Sequence, residues 1–173
     1  QSAVLMIQPV TALYIGELQG SMENVAVTSG TILSCGGIAG AVTTAFWGRF
    51  GQQRGYFYAM SITFCCAGIL MALQAVPGTV LGFGVFQFLV GCFLIGVNPA
   101  INAAFVKYTP ESFRGRVFGL ANTAQQFGNM TGPLISAGVT MVMPIFTVYV
   151  LSGILLLLVG VYIIQRHVLR GER

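Results

Sequence analysis

Charge is what this chain has least of. Asp, Glu, Lys and Arg make up only 7% of its 173 residues, against roughly 25% in a soluble globular domain. Hydrophobic residues make up 55%, and mean hydropathy is +0.83. So few charges exclude a water-soluble enzyme or binding module and point to an all-α membrane protein. Histidine is scarcer still. The single one, His167, follows the last apolar run, so neither a Ser/His pair nor a zinc site can be built inside the membrane. No carboxylate lies deep in an apolar run, and the nearest, Glu17, stands at the outer end of the first. The cysteines, Cys35, Cys65, Cys66 and Cys92, all fall within apolar runs without C-x-x-C spacing, and read as small apolar side chains. The glycine-rich "GRFGQQRG" at 48–55 lacks the lysine of a phosphate loop. No catalytic residue, metal or cofactor is expected.

What is abundant is long apolar sequence. Six runs, at residues 2–15, 25–47, 56–76, 79–106, 117–142 and 144–164, read as six transmembrane helices of a single bundle spanning residues 1–173. The first is shorter than the roughly 20 residues that cross a hydrocarbon core, and no charged start or small-residue cleavage site marks a signal peptide. The expectation is a chain that begins inside a helix. Connectors are short, and Pro77-Gly78 and Met143-Pro144 are turn signals.

The eight Lys and Arg residues fall after the second run (Arg49, Arg54), after the fourth (Lys107, Arg114, Arg116) and after the sixth (Arg166, Arg170, Arg173). By the positive-inside rule that side is cytoplasmic, with the C-terminus there too. Topology then accounts for the net charge of +4, and no nucleic-acid partner is needed. Trp47, Tyr56 and Tyr58 are expected as aromatic anchors at this interface.

Amides interrupt two of the runs. Asn122, Gln125 and Asn129 share one stripe of the fifth, with Gln126 at its shoulder, and Gln87, Gly91, Asn98 and Asn102 form a stripe on the fourth. An unpaired amide in hydrocarbon costs several kcal/mol, so neither stripe faces lipid. Interhelical bonding, worth only about 0.6 kcal/mol per bond in membranes, accounts for one or two such residues. Two whole stripes on sequential helices favour a water-filled pathway. The third and sixth runs are nearly free of polar side chains and read as peripheral. Gly36 and Gly40, in G-x-x-x-G register, read as a close-packing face. Pro9, Pro99 and Pro133 lie within runs, where proline permits a kink, and Pro99 beside Asn98 is the foremost candidate.

The order of six helices, "GRFGQQRG" after the second, and "PESFRGRVFGLANTAQQFGNMTGPL" at 110–134 together resemble the C-terminal half of a major facilitator superfamily transporter of the multidrug efflux type. Gly48, Arg49, Phe50 and Gly55 align with that family's cytoplasmic loop motif, but Gln52 and Gln53 stand where it carries aspartate and arginine. Arg114, Gly115 and Arg116 match better, followed by Gly119 and Gly128. The resemblance implies helices seven to twelve of a twelve-helix protein, each half an inverted 3+3 repeat. It implies that seven and ten line a central cavity, eight and eleven flank the other half, and nine and twelve face lipid. The implied activity is efflux of hydrophobic or cationic drugs by alternating access. The proton gradient would be its energy source, the N-terminal six-helix half its partner and the plasma (inner) membrane its location. On the fold so implied, Gln8, Thr11, Gln87, Asn98 and Asn102 are assigned to the substrate cavity, and Asn122, Gln125 and Asn129 to its wall or the interface. A major facilitator carrying a sugar or organic anion is the alternative, and a six-helix scaffold a third reading.

Overall fold

Helix is the only regular structure a lipid-facing chain of this composition can form, because every backbone N–H and C=O must find its partner internally. The computed structural model describes residues 1–21 and 23–168, apart from the side chains of His167 and Val168. Arg170 and Arg173 lie outside the described residues. The helices are α1 (Ser2–Met6), α2 (Gln8–Gln19), α3 (Val25–Arg54), α4 (Tyr56–Leu73), α5 (Val80–Leu94), α6 (Val97–Tyr108), α7 (Glu111–Val142) and α8 (Phe146–Ile163), with one π-helical turn at Ile164–Val168. They make six rods, because α2 continues α1 and α6 continues α5 across short breaks. Among the described residues, four rods are long and apolar enough to cross a membrane: Val25–Arg54, Tyr56–Leu73, Val80–Tyr108 and Phe146–Arg166.

The boundaries differ from the sequence expectation in physically readable ways. Two of the three internal prolines break their rods. Pro9 precedes no break but follows one at Ile7, and Pro99 follows one at Ile95 and Gly96. Proline lacks the N–H that the carbonyl four residues earlier would receive, and its ring crowds that carbonyl. Pro133 sits inside an uninterrupted α7. The stretch expected as a loop after residue 47 is helical to Arg54, where Gly55, at φ +101°, turns the chain into α4. Gly48 and Arg49 are therefore helical residues. α7 starts at Glu111 rather than 117, immediately after Pro110. It ends where Met143, extended by the following proline, leads into α8.

Without a hydrophobic force between helices in lipid, close van der Waals packing must hold the rods together. Small residues supply it. α3 crosses α5 where Gly36 meets Gln87 and Gly91, and Gly40 lies against Ile95. α1 crosses α7 where Gly128 meets Gln1 and Gly132 meets Ser2 and Leu5. α4 lies along α8, with Gly68 and Gly153 each against the other's backbone and Gly160 against Cys65. The G-x-x-x-G face of α3 is thus a packing seam.

The pattern of neighbours repeats. Exchanging the first three rods for the last three, each in chain order, maps α1·α7 onto α5·α3, α1·α8 onto α5·α4, α2·α3 onto α6·α7 and α3·α4 onto α7·α8, while α4·α8 maps onto itself. All of these pairs touch. Since three is an odd number, the two sets cross the membrane in opposite senses, as an inverted repeat requires. The main apolar core, built around Met6, Ile15, Met71, Phe83, Val148 and Tyr149, lies between α1, α2, α3, α4, α5 and α8. α7 reaches only its edge, where Val139 packs against it. Of its 32 residues only Gly128, Gly132 and Ser136 are buried.

A Cβ at Gly91 would meet the Gly36 carbonyl at less than contact distance. Gly91→Ala in the full-length protein is expected to destabilise the fold by about 1–3 kcal/mol, read as a lower unfolding midpoint in detergent. Gly78→Ala, in a turn with open space around it, is the control and should leave the midpoint unchanged.

Candidate functional site

Where do the amides go? α6 and α7 are joined by a tight turn at the basic end of the bundle. Arg114 holds that turn: its guanidinium donates to the carbonyls of Val106 and Thr109 at 3.3 Å, capping the end of α6, and pairs with Glu111 at 3.3 Å. The two helices then diverge, leaving a groove of about 700 Å³ between them. Asn98 and Asn102 project into it from α6, and Asn122 and Gln125 from α7. All four are exposed. Phe105 and Phe118 close one end edge to face, with ring centroids 5.8 Å apart. Asn102 and Phe105 are three residues apart and Phe118 and Asn122 four, so helical spacing alone places each pair on one face.

The other residues assigned to the cavity are not among those that line this groove. Thr11 is 1% exposed. It donates to the Ile7 carbonyl at 2.7 Å and accepts from the Tyr149 hydroxyl at 3.2 Å. Gln87 is half-buried and accepts from Gln74 Nε2 at 2.7 Å, tying α5 to the end of α4. Gln8 is exposed in the first turn of α2 and does not line the groove. Asn129 stands farther along α7, donating to Gln126 at 2.6 Å, with its own carbonyl oxygen buried and unpaired among the described residues. Gly48, Arg49 and Gly55 sit at the α3–α4 corner and Arg116 beside the α6–α7 turn, its guanidinium 5.4 Å from the Phe113 ring centroid.

Both helix breaks are held from outside. At the first, the Tyr149–Thr11–Ile7 chain of hydrogen bonds fixes the start of α2 from α8. At the second, the Cys92 carbonyl receives bonds from Trp47 Nε1 at 2.7 Å and Thr43 Oγ1 at 2.9 Å, both on α3. Gly96 lets the indole in, since a Cβ there would lie 2.6 Å from Trp47 Cδ1. Trp47 is therefore not an interface anchor. It is 8% exposed and packs inside the bundle, because a buried indole N–H takes whatever acceptor a broken helix leaves available. Tyr58 does remain exposed.

Sequence reasoning missed Gln74, a fully buried amide in a helix read as apolar, and the two phenylalanines of the groove. Gln74 lies within reach of Gln87 only because the Pro77-Gly78 turn folds α4 back on α5, a pairing no helical spacing reveals.

Cysteine labelling tests the groove. In a full-length protein whose native cysteines are replaced by serine, Asn98→Cys and Gln125→Cys should react with a membrane-impermeant thiol reagent applied to inside-out vesicles. Thr11→Cys, sealed in the core, should not react.

Residues 3–171 match the Major Facilitator Superfamily. The chain is similar to the multidrug resistance protein MdtG of Klebsiella pneumoniae (strain 342), with 31% identity over 140 residues, 81% of this chain and 34% of that protein. MdtG of Rahnella sp. (strain Y9602) is 29% identical over 157 residues, 91% of this chain and 38% of that protein. MdtG of Escherichia coli (strain K12 / DH10B) is 29% identical over 140 residues. The chain spans little more than a third of the length of these curated relatives. With a match over almost all of its length and an all-helical bundle carrying long apolar rods, the chain is an integral membrane protein and belongs to the Major Facilitator Superfamily.

Proposed function

We propose that this chain is the C-terminal half of a proton-driven multidrug efflux transporter, and that the groove between α6 and α7 is its share of the substrate cavity. The observation that carries this is the groove itself. Five neutral amides, those of Gln1, Asn98, Asn102, Asn122 and Gln125, and two aromatic rings line it, and no charged side chain is among its lining residues. Such a wall can donate and accept hydrogen bonds in many geometries while offering flat apolar surface. It suits bulky, weakly polar or cationic compounds better than an organic anion, which would call for a fixed cation. The names of the relatives support the same class.

The rest of the mechanism follows as part of the proposal. Described basic residues gather at the end where α3 meets α4 and α6 meets α7. The rings of Phe57 and Tyr108 lie 5.4 Å apart across those two corners. That end is taken as cytoplasmic, in a bacterial inner membrane, with the chain's C-terminus on the same side. The N-terminal six helices would cover the exposed face of α7 and complete the cavity, and the two halves would rock about it. Glu17, Glu23 and Glu111 are exposed at the ends of helices, so the proton carrier is assigned to the other half.

Cells expressing the full-length protein should accumulate less of a fluorescent cationic dye, and a protonophore should abolish the difference. Asn98→Leu and Asn102→Leu should each lower efflux by roughly two- to tenfold, the worth of one hydrogen bond, at unchanged membrane levels. If expression leaves dye accumulation unaltered, the efflux assignment fails and a metabolite carrier takes its place.

A further inference from the structure

A second recess lies on the other side of α6. Phe57 and Met60 of α4 face Ile101, Ala104, Phe105 and Tyr108 of α6 across a crevice of about 210 Å³. Its floor is apolar and tight: Met60 and Ala104 are 5% and 4% exposed. Tyr108 and Thr109, the last residues of its lining, stand at the basic end next to Lys107. The Lys107 ammonium is held 5.8 Å from the Tyr56 ring centroid and 5.4 Å from that of Tyr108. The lysine is exposed and has no carboxylate partner among the described residues. The only described acid at this end, Glu111, is already paired with Arg114, while Arg49, Arg54, Arg116 and Arg166 add to the positive field.

We propose that this crevice binds one anionic phospholipid, with an acyl chain between α4 and α6 and the headgroup phosphate on Lys107. Three features choose this occupant. The crevice lies between two membrane-crossing rods, so what fills it comes from the bilayer. Its lining is almost wholly apolar, which fits a hydrocarbon chain. Its mouth carries an unpaired cation at the depth where a rod ends and phosphates begin, a geometry that selects anionic over zwitterionic headgroups. The aromatic rings keep the ammonium over the mouth rather than leaving it free to extend into water.

Ile101 and Phe105 line this crevice and the amide groove alike. A chain seated in the crevice therefore rests on the back of the groove wall. Occupancy would bias how far α6 leans toward α7. The inference depends on the membrane location and the fold, not on drug efflux.

Native mass spectrometry of the full-length protein, released from nanodiscs of equal phosphatidylglycerol and phosphatidylcholine, tests it. Retained phosphatidylglycerol should exceed phosphatidylcholine. Lys107→Gln, an exposed change that leaves packing intact, should lower that retention by about fivefold, as expected for one cation near a headgroup. Ala104→Leu, which fills the floor, should lower retention of both lipids. Equal retention of the two lipids by the unaltered protein, or retention indifferent to Lys107→Gln, overturns the proposal. Displacement of the lipid by millimolar glycerol phosphate would also overturn it, because the site would then be one for a soluble phosphate.

Discussion

An amide cannot be left facing hydrocarbon, and most of what is distinctive in this bundle follows from that constraint. α7 carries Asn122, Gln125 and Gln126 on exposed surface, where lipid would cost several kcal/mol for each unpaired group. Its few buried residues are two glycines and a serine, so it has no core of its own to hold it in place. A helix like this persists in a membrane only beside water or another polar surface. α6 satisfies the same constraint in the same groove. The two polar helices thus define one face of the bundle, and α4 and α8, packed through Gly68, Gly153 and Gly160, stand on the apolar one.

The helix breaks are the second consequence of placing polar backbone at membrane depth. Pro9 and Pro99 each free a carbonyl, and they do so in the first rod of each three-rod set. A gap of this kind survives in a bilayer when neighbouring side chains supply donors. Beside one break Thr11, itself receiving a bond from Tyr149, donates to the Ile7 carbonyl, and beside the other Thr43 and Trp47 donate to the Cys92 carbonyl. The donors differ in type and come from non-corresponding helices, so the symmetry of the backbone is kept while its chemistry is not. Interrupted helices in matching positions of an inverted repeat are where transporters place substrate, and the second break lies next to Asn98 in the groove.

Sequence periodicity revealed these features where the cause was local. The Gly36–Gly40 seam, the amide faces of α6 and α7 and the apolar character of α4 and α8 all follow from residues three or four apart on one helix. The bundle of six rods followed from apolar length. What periodicity could not supply was which polar residue meets which across helices. Gln87 lies on the same stripe as Asn98 on a helical wheel, but the break at Ile95 and Gly96 ends that register, and Gln87 turns to Gln74 instead. Thr11 was assigned to the cavity on the resemblance, and no helical spacing reveals its partner. Tyr149, 138 residues away in sequence, takes its hydroxyl. Trp47 looked like an interface anchor because of its place near arginines, and its N–H was claimed by a carbonyl that only the break exposes.

The basic end shows how the same residues serve folding and topology at once. Arg114 closes the α6–α7 turn by capping carbonyls, and through that turn it sets how α6 and α7 diverge to open the groove. Lysine, a compact ammonium with no planar fork, could not cap two carbonyls and bind Glu111 in the same way. A charge gathered at one end of the bundle is therefore also a charge that shapes its polar face. A substitution at Arg114 acts on the groove through the turn, without touching any group that lines it.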